Sequence, residues 1–183
     1  MISEVLAEAQ KKMEQAAEHV SSEFATVRTG RANPQILHRI TIDYYGTSTP
    51  LQQLASFSVP EPRLLVVQPF DKSSLVAIEK AIRASDLGLN PSNDGNLIRL
   101  AFPAPTEERR KELTKMVRHM AEEGRVAVRN VRRHSKDDIE ALKHEVSDDE
   151  IRRGEKELQE LTDQFVHRID ELLVGKEHEL AEV

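Results

Sequence analysis

Residues 125–136 read RVAVRNVRRHSK: four arginines, a lysine and a histidine within a 183-residue chain of formal net charge −6. A guanidinium is planar, permanently charged and forked to match phosphate oxygens, so a cluster of arginines first suggests phosphate chemistry. At about 100° per residue, Arg118, Arg125, Arg129, Arg132 and Lys136 fall within an arc of roughly 60° on a helix. Met120, Ala127 and Val131 lie far around the same cylinder, which predicts that they face a core while the basic row faces water. Three chemistries fit such a row: a solvated face paired with nearby acids, a phosphate grip, or a mate for an acidic protein surface. Glu122 stands near Arg118 and Arg125, but no Asp or Glu occupies the four positions before Arg129, Arg132 or Arg133. That scarcity favours a ligand outside the helix.

Other chemistry finds little footing. Cysteine is absent, which excludes disulfides, thiolate metal sites and cysteine nucleophiles. Arg28-Thr-Gly-Arg31 lacks the spacing of a phosphate-binding P-loop, and Asn93-Asp94-Gly95 reads as a turn without the calcium-loop pattern behind it. The histidines form no HExxH, and with aromatics at 4% a base-stacking platform is not expected. The sequence therefore predicts no catalytic residues, no metal site and no cofactor. MISEVLAEAQKKMEQ has no apolar core behind a basic end, and no stretch approaches the roughly 18 apolar residues of a membrane span. A cytoplasmic protein without a membrane partner is the expectation.

Long helices must position the basic row. Leu6, Ala9, Met13, Ala16, Val20, Phe24 and Val27 recur at helical steps, with Ser3 as a weak start and Gly30 as a stop. All eight prolines fall between 34 and 105. In that zone Ile40, Ile42 and Tyr44 alternate as a strand does, Gly46 turns the chain toward a candidate partner strand near 47–51, and Leu64–Val67 reads as a further strand. DKSSLVAIEKAIRAS reads as a helix capped by Asp71 or Ser73. GLNPSNDG is turn-rich, and alternation resumes over 96–102. From 106 the helical period returns in two runs, with seams at Leu113, Met116, Met120, Ala127, Val131, Ile139, Leu142 and at Ile151, Leu158, Leu161, Phe165, Ile169, Leu172, Leu180. Ser147 or Asp148 followed by Glu150 marks the second start.

The expectation is an α+β protein. Residues 1–29 and 106–183 form a long antiparallel three-helix bundle, and residues 30–105 a small, mainly β domain inserted between the first two helices. Two crossings at one end of the bundle, through Gly30-Arg31 and Pro103-Ala104-Pro105, would make an elongated two-arm molecule with a hinge limited to a few torsions. Charge divides along the chain as well. Residues 109–136 carry ten basic and three acidic side chains, residues 137–183 six basic and sixteen acidic, and the insertion seven and six.

RTGRANP (28–34), GLNPSNDGNLIRL (88–100) and RVAVRNVRR (125–133), in that order, resemble the ribosome recycling factor family of bacteria, over essentially the whole chain. The resemblance implies an L-shaped monomer whose bundle arm lies on large-subunit rRNA at the subunit interface. It implies that the protein, with elongation factor G and GTP, splits post-termination ribosomes and frees them from mRNA and deacylated tRNA, hydrolysing nothing itself. It implies rRNA contacts at Arg129, Arg132, Arg133 and Asn130, with Arg125 and Arg118 in the same row and Arg110 and Arg28 as weaker matches. His134 departs from the acidic residue expected after the paired arginines. A coiled-coil adaptor for an acidic protein and a general RNA chaperone are the other two functions the residues allow.

Overall fold

The computed structural model describes residues 1–182. Its elements run α1 (Ile2–Thr26), β1 (Thr41–Tyr44), β2 (Thr47–Pro50), β3 (Ala55–Glu61), β4 (Leu64–Pro69), α2 (Leu75–Ala84), β5 (Pro91–Asn93), β6 (Ile98–Ala101), α3 (Glu107–Glu140) and α4 (Asp148–Ala181). Short 3-10 turns lie at Pro34–Leu37, Leu51–Gln53 and Lys72–Ser74. Two compact units result: residues 1–28 with 107–182, and residues 29–106.

In the first unit α1, α3 and α4 pack pairwise around one apolar core built on Met13, Val20, Phe24, Val117, Phe165 and Ile169. α3 and α4 run antiparallel through a short connection, and Ser147 ends it with a capping box: its hydroxyl accepts from the Glu150 N–H while Glu150 accepts from the Ser147 N–H. α1 ends at Thr26, four residues before Gly30, and starts at Ile2 without a side-chain cap. Gly30 lies in the irregular segment beyond, at φ +82°.

The α3 seam differs in phase from the one hydropathy suggests. Leu113, Val117, Ala121, Gly124, Val128, Ser135 and Ile139 are buried, whereas Met116 and Ala127 are exposed and Met120 and Val131 half-buried. The seam is turned by roughly 60° toward the basic row. Small residues cause the shift. A β-carbon at Gly124 would run into Val20 Cγ2 of α1 and sit 3.3 Å from Ile169 Cδ1 of α4, so only glycine lets three helices meet there.

The second unit has its own core, Leu37, Leu51, Leu65, Val67, Ile78, Ile82, Ile98 and Leu100 among others. β1 and β2 form a hairpin turned by Tyr45 and Gly46, both at positive φ. The remaining strands make an antiparallel sheet in the order β3-β4-β6-β5, and α2 buries Leu75, Ile78 and Ile82. Asp71 caps the turn before α2 by accepting from Ser73 N–H. Both segments entering and leaving the unit are fastened at one β-turn: Ala32 N–H donates to Pro62 O at 2.7 Å, and Phe102 N–H to Arg63 O at 2.8 Å.

Asp94 organises the β5–β6 turn. Its carboxylate accepts from the N–H groups of Asn96 and Leu97 and from Arg99, and those bonds, the backbone ones foremost, hold its pKa down to about 2. A depressed carboxyl stabilises the fold above its unfolded pKa near 3.8, and that contribution disappears as pH falls through about 2. Asp94→Asn is therefore expected to lower stability at pH 6 and to flatten its decline between pH 4 and 2. Tyrosine fluorescence checks this cleanly, because Tyr44 and Tyr45 are the chain's two tyrosines, both lie in this unit, and there is no Trp. An unaltered acid limb in the variant would contradict the assignment.

Candidate nucleic-acid interface

The basic row of α3 lies beside the buried seam, and its two halves differ. In the upstream half the arginines clamp α4. Arg118 Nε donates to Glu177 Oε1 at 2.6 Å, and seven residues on, Arg125 Nε donates to Asp170 Oδ1 at 2.7 Å. The step of seven on each antiparallel helix keeps the same faces opposed. Arg125 also reaches Glu122 at 3.0 Å and is only 18% exposed, so it does not face water as the periodicity suggests. Burial opposes its charge, but the bonds to Asp170 and Glu122 outweigh that and raise its pKa. The hydrogen bond to Glu177 does the same for Arg118.

The pattern breaks at the next step. Arg132 stands where a third pairing, with Asp163, is due, yet its Nη1 donates to the neutral Gln159 Oε1 at 3.2 Å. Gln159 in turn donates through Nε2 to Asp163 Oδ1 at 2.9 Å, which fixes its amide oxygen toward Arg132. Arg132 thus keeps an uncompensated charge and is half-buried. Arg129 is exposed and reaches Glu122 Oε1 at 3.2 Å, two turns back and outside the window that sequence proximity surveys. The hydrogen bond from Arg125, followed by the one from Arg129, lowers the Glu122 pKa. Arg133 and Asn130 are exposed and, among the described residues, meet no ion-pair or hydrogen-bond partner; His134 beside them is exposed too. Lys136 only grazes Glu140 at 4.0 Å.

Arg110 and Arg28 lie apart from this row. Arg110 points from the first turn of α3 on the seam side, half-buried, with a buried Nε that has no hydrogen-bond partner. Arg28 is exposed two residues past the end of α1. Arg31 is exposed as well.

A structural role for Arg125 makes a direct prediction. Arg125→Ala strands Asp170 beside the core edge and is expected to cost roughly 1–2 kcal/mol, after allowing for the solvent that screens the half-exposed Asp170. Urea unfolding followed by helical circular dichroism measures it. The double variant Arg125→Ala, Asp170→Ala should recover part of the loss; a single variant as stable as the parent would contradict the clamp.

An α-helical bundle interrupted by a mainly β insertion, with an arginine row along its second helix, defines an α+β class with a surface suited to anions. The family model "Ribosome recycling factor" matches residues 20–180. Relatives named ribosome-recycling factor include those of Acidothermus cellulolyticus, 57% identical over 185 residues with all of both chains covered, and Cutibacterium acnes, 55% identical over 184 residues with the same coverage. A solution structure of the ribosome recycling factor superposes with a TM-score of 0.71 at 43% identity, covering 100% of this chain and 98% of that one. A second structure, the Thermus thermophilus factor bound with Escherichia coli elongation factor G to the E. coli post-termination complex, gives 0.62 at 47% identity and 98% of both chains. The chain belongs to the ribosome recycling factor family.

Sequence reasoning missed the contribution of α4 to this surface. Gln159, Arg152 and Lys156 share one face of α4 at helical spacing, a signal hidden by the acidic total of residues 137–183.

Proposed function

We propose that this chain binds post-termination ribosomes and, with elongation factor G and GTP, separates the subunits from each other, from mRNA and from deacylated tRNA. It acts as a monomer in the cytoplasm and catalyses no reaction of its own. The bundle unit is the ribosome-holding part: Arg129, Arg132, Arg133 and Asn130 meet backbone phosphates of large-subunit rRNA. A-form RNA is read mainly through shape and backbone, so guanidiniums on a stiff helix suffice without a base code. The observation that carries this reading is the break in the α3–α4 pairing at Arg132, which leaves charge for a ligand where the family motif falls.

The insertion takes the push from elongation factor G. Its two crossings are irregular, Gly30 with positive φ in one and Pro103-Ala104-Pro105 in the other, and the bonds at Ala32 and Phe102 confine the pivot to the residues outside them. Gly30, Arg31 and the proline pair thus allow a few torsions rather than a loose tether. The relative placed with elongation factor G on a post-termination complex supports this partner. A splitting assay tests the reading: light scattering from post-termination complexes should fall when this chain, elongation factor G and GTP are all present. A fall without elongation factor G, or none with it, would reject it.

A further inference from the structure

At the downstream half of the row, α3 and α4 flank an open groove of about 330 Å³. Arg132 and Lys136 line it from α3, and Arg152, Glu155, Lys156 and Gln159 from α4, over a floor that includes the buried Leu158. Four cations thus face a single carboxylate. Arg152 and Lys156 have no carboxylate within ion-pair distance among the described residues, and Lys136 barely touches Glu140. Gln159, held by Asp163, engages only one guanidinium nitrogen of Arg132 and leaves the rest of the fork available. Four like charges facing one carboxylate, Glu155, are left with a net repulsion, and an intramolecular fold gains nothing from that arrangement. An anion bound in the groove removes the repulsion.

The geometry points to a second contact strip for RNA backbone, in which Arg152 and Lys156 of α4 join Arg132 and Lys136 in gripping consecutive phosphates of one strand. This inference rests on the ribosome-binding reading and extends it to α4, the helix whose overall charge is acidic. An open groove walled by Arg132, which exposed Arg129 and Arg133 flank along α3, suits a strand running past it better than an isolated small anion, which needs enclosure to bind well. α4 is consequently split in function: its first third adds to the grip, while Asp170 and Glu177 further on hold α3 in place.

Binding of the full chain to purified large ribosomal subunits across a salt series tests the strip. Arg152→Gln with Lys156→Gln should weaken binding roughly 5- to 30-fold and make the slope of log affinity against log salt shallower by about 1 to 2. Melting should not fall, since both side chains are exposed and, among the described residues, unpaired, and their neutralisation relieves repulsion with Arg132 and Lys136. Lys11→Gln with Lys12→Gln removes the same charge from exposed positions of α1 and should leave the slope as it was. Equal behaviour of the two double variants, or wild-type affinity in the first, would overturn the strip. Arg132→Ala separates the two levels: weak binding there with full binding by the α4 variant rejects the strip alone, whereas full binding by both rejects the ribosome-contact reading beneath it. Inorganic phosphate at matched ionic strength should not compete; saturable competition sensitive to Arg152→Gln would assign the groove to a small anion and overturn the strand assignment.

Discussion

Replacing three side chains together, Arg129→Gln, Arg132→Gln and Arg133→Gln, is expected to weaken binding to large ribosomal subunits roughly 100-fold at near-physiological salt and to make its salt slope shallower by about 2 to 3. Each lost guanidinium removes one released counterion as well as one forked phosphate contact. The fold should not suffer. Arg133 has no partner among the described residues, Arg129 holds an exposed pair with Glu122, and Arg132 bonds a neutral amide. Exposed pairs of this kind contribute less than about 1 kcal/mol. Arg132→Ala alone should cost roughly tenfold in binding, with a change in stability under about 0.5 kcal/mol. Equilibrium sedimentation with subunits, beside a melting curve, reads both quantities. Retained affinity in the triple variant would remove α3 from the interface, and lost affinity with a collapsed melting curve would mean that the row is structural throughout.

The largest effect on the fold is expected at Gly124. Valine there gains helix propensity of under about 1 kcal/mol, but it places its β-carbon against Val20 Cγ2, and both β-branched side chains have little rotamer freedom to yield. Overpacking a three-helix junction should outweigh the gain, for a net loss of roughly 2–4 kcal/mol in the bundle. The inserted unit keeps its own core, so Tyr44 and Tyr45 should report an unchanged transition while helical circular dichroism melts earlier. A single coincident transition moving as one would contradict the independence of the two cores. A variant as stable as the parent would mean that α1 does not approach α3 as closely as described.

These two predictions depend on different parts of the sequence, and the parts were not equally legible. Element types in the bundle follow from repeating apolar residues, and the α4 start follows from Ser147 and Glu150. The β1–β2 hairpin, β4, α2 and β6 also carry clear patterns. β3 and β5 do not: ASFSVPE mixes serines with Pro60, and Pro91-Ser-Asn sits in a turn-rich tract. Both are edge strands of the four-stranded sheet, where prolines and polar residues are tolerated and alternation is weak. The phase of the α3 seam was hidden for another reason. Ala121, Gly124 and Ser135 contribute almost nothing to hydropathy, yet close helix approach buries them. Following Met116, Met120 and Ala127 instead turns the helix by about 60° and sends Arg125 into solvent. The arginine row could be read as a row, then, but its division into a clamp and an open half could not. That division needs Asp170 and Glu177 on α4, 45 and 59 residues away along the chain.

The proposed function stands on the downstream half of α3 lying against large-subunit rRNA. The absence of cysteine makes that placement directly measurable, because a single introduced thiol can carry an iron chelate that cuts nearby RNA. Val126→Cys places the probe on the exposed outer side of α3 beside the row, and Gln164→Cys places it on an exposed position of α4. Bound to post-termination ribosomes, the probe at 126 should cut large-subunit rRNA at the subunit interface strongly, and the probe at 164 weakly or not at all. Strong cuts from 164 with none from 126 would turn the bundle the other way round and refute that placement.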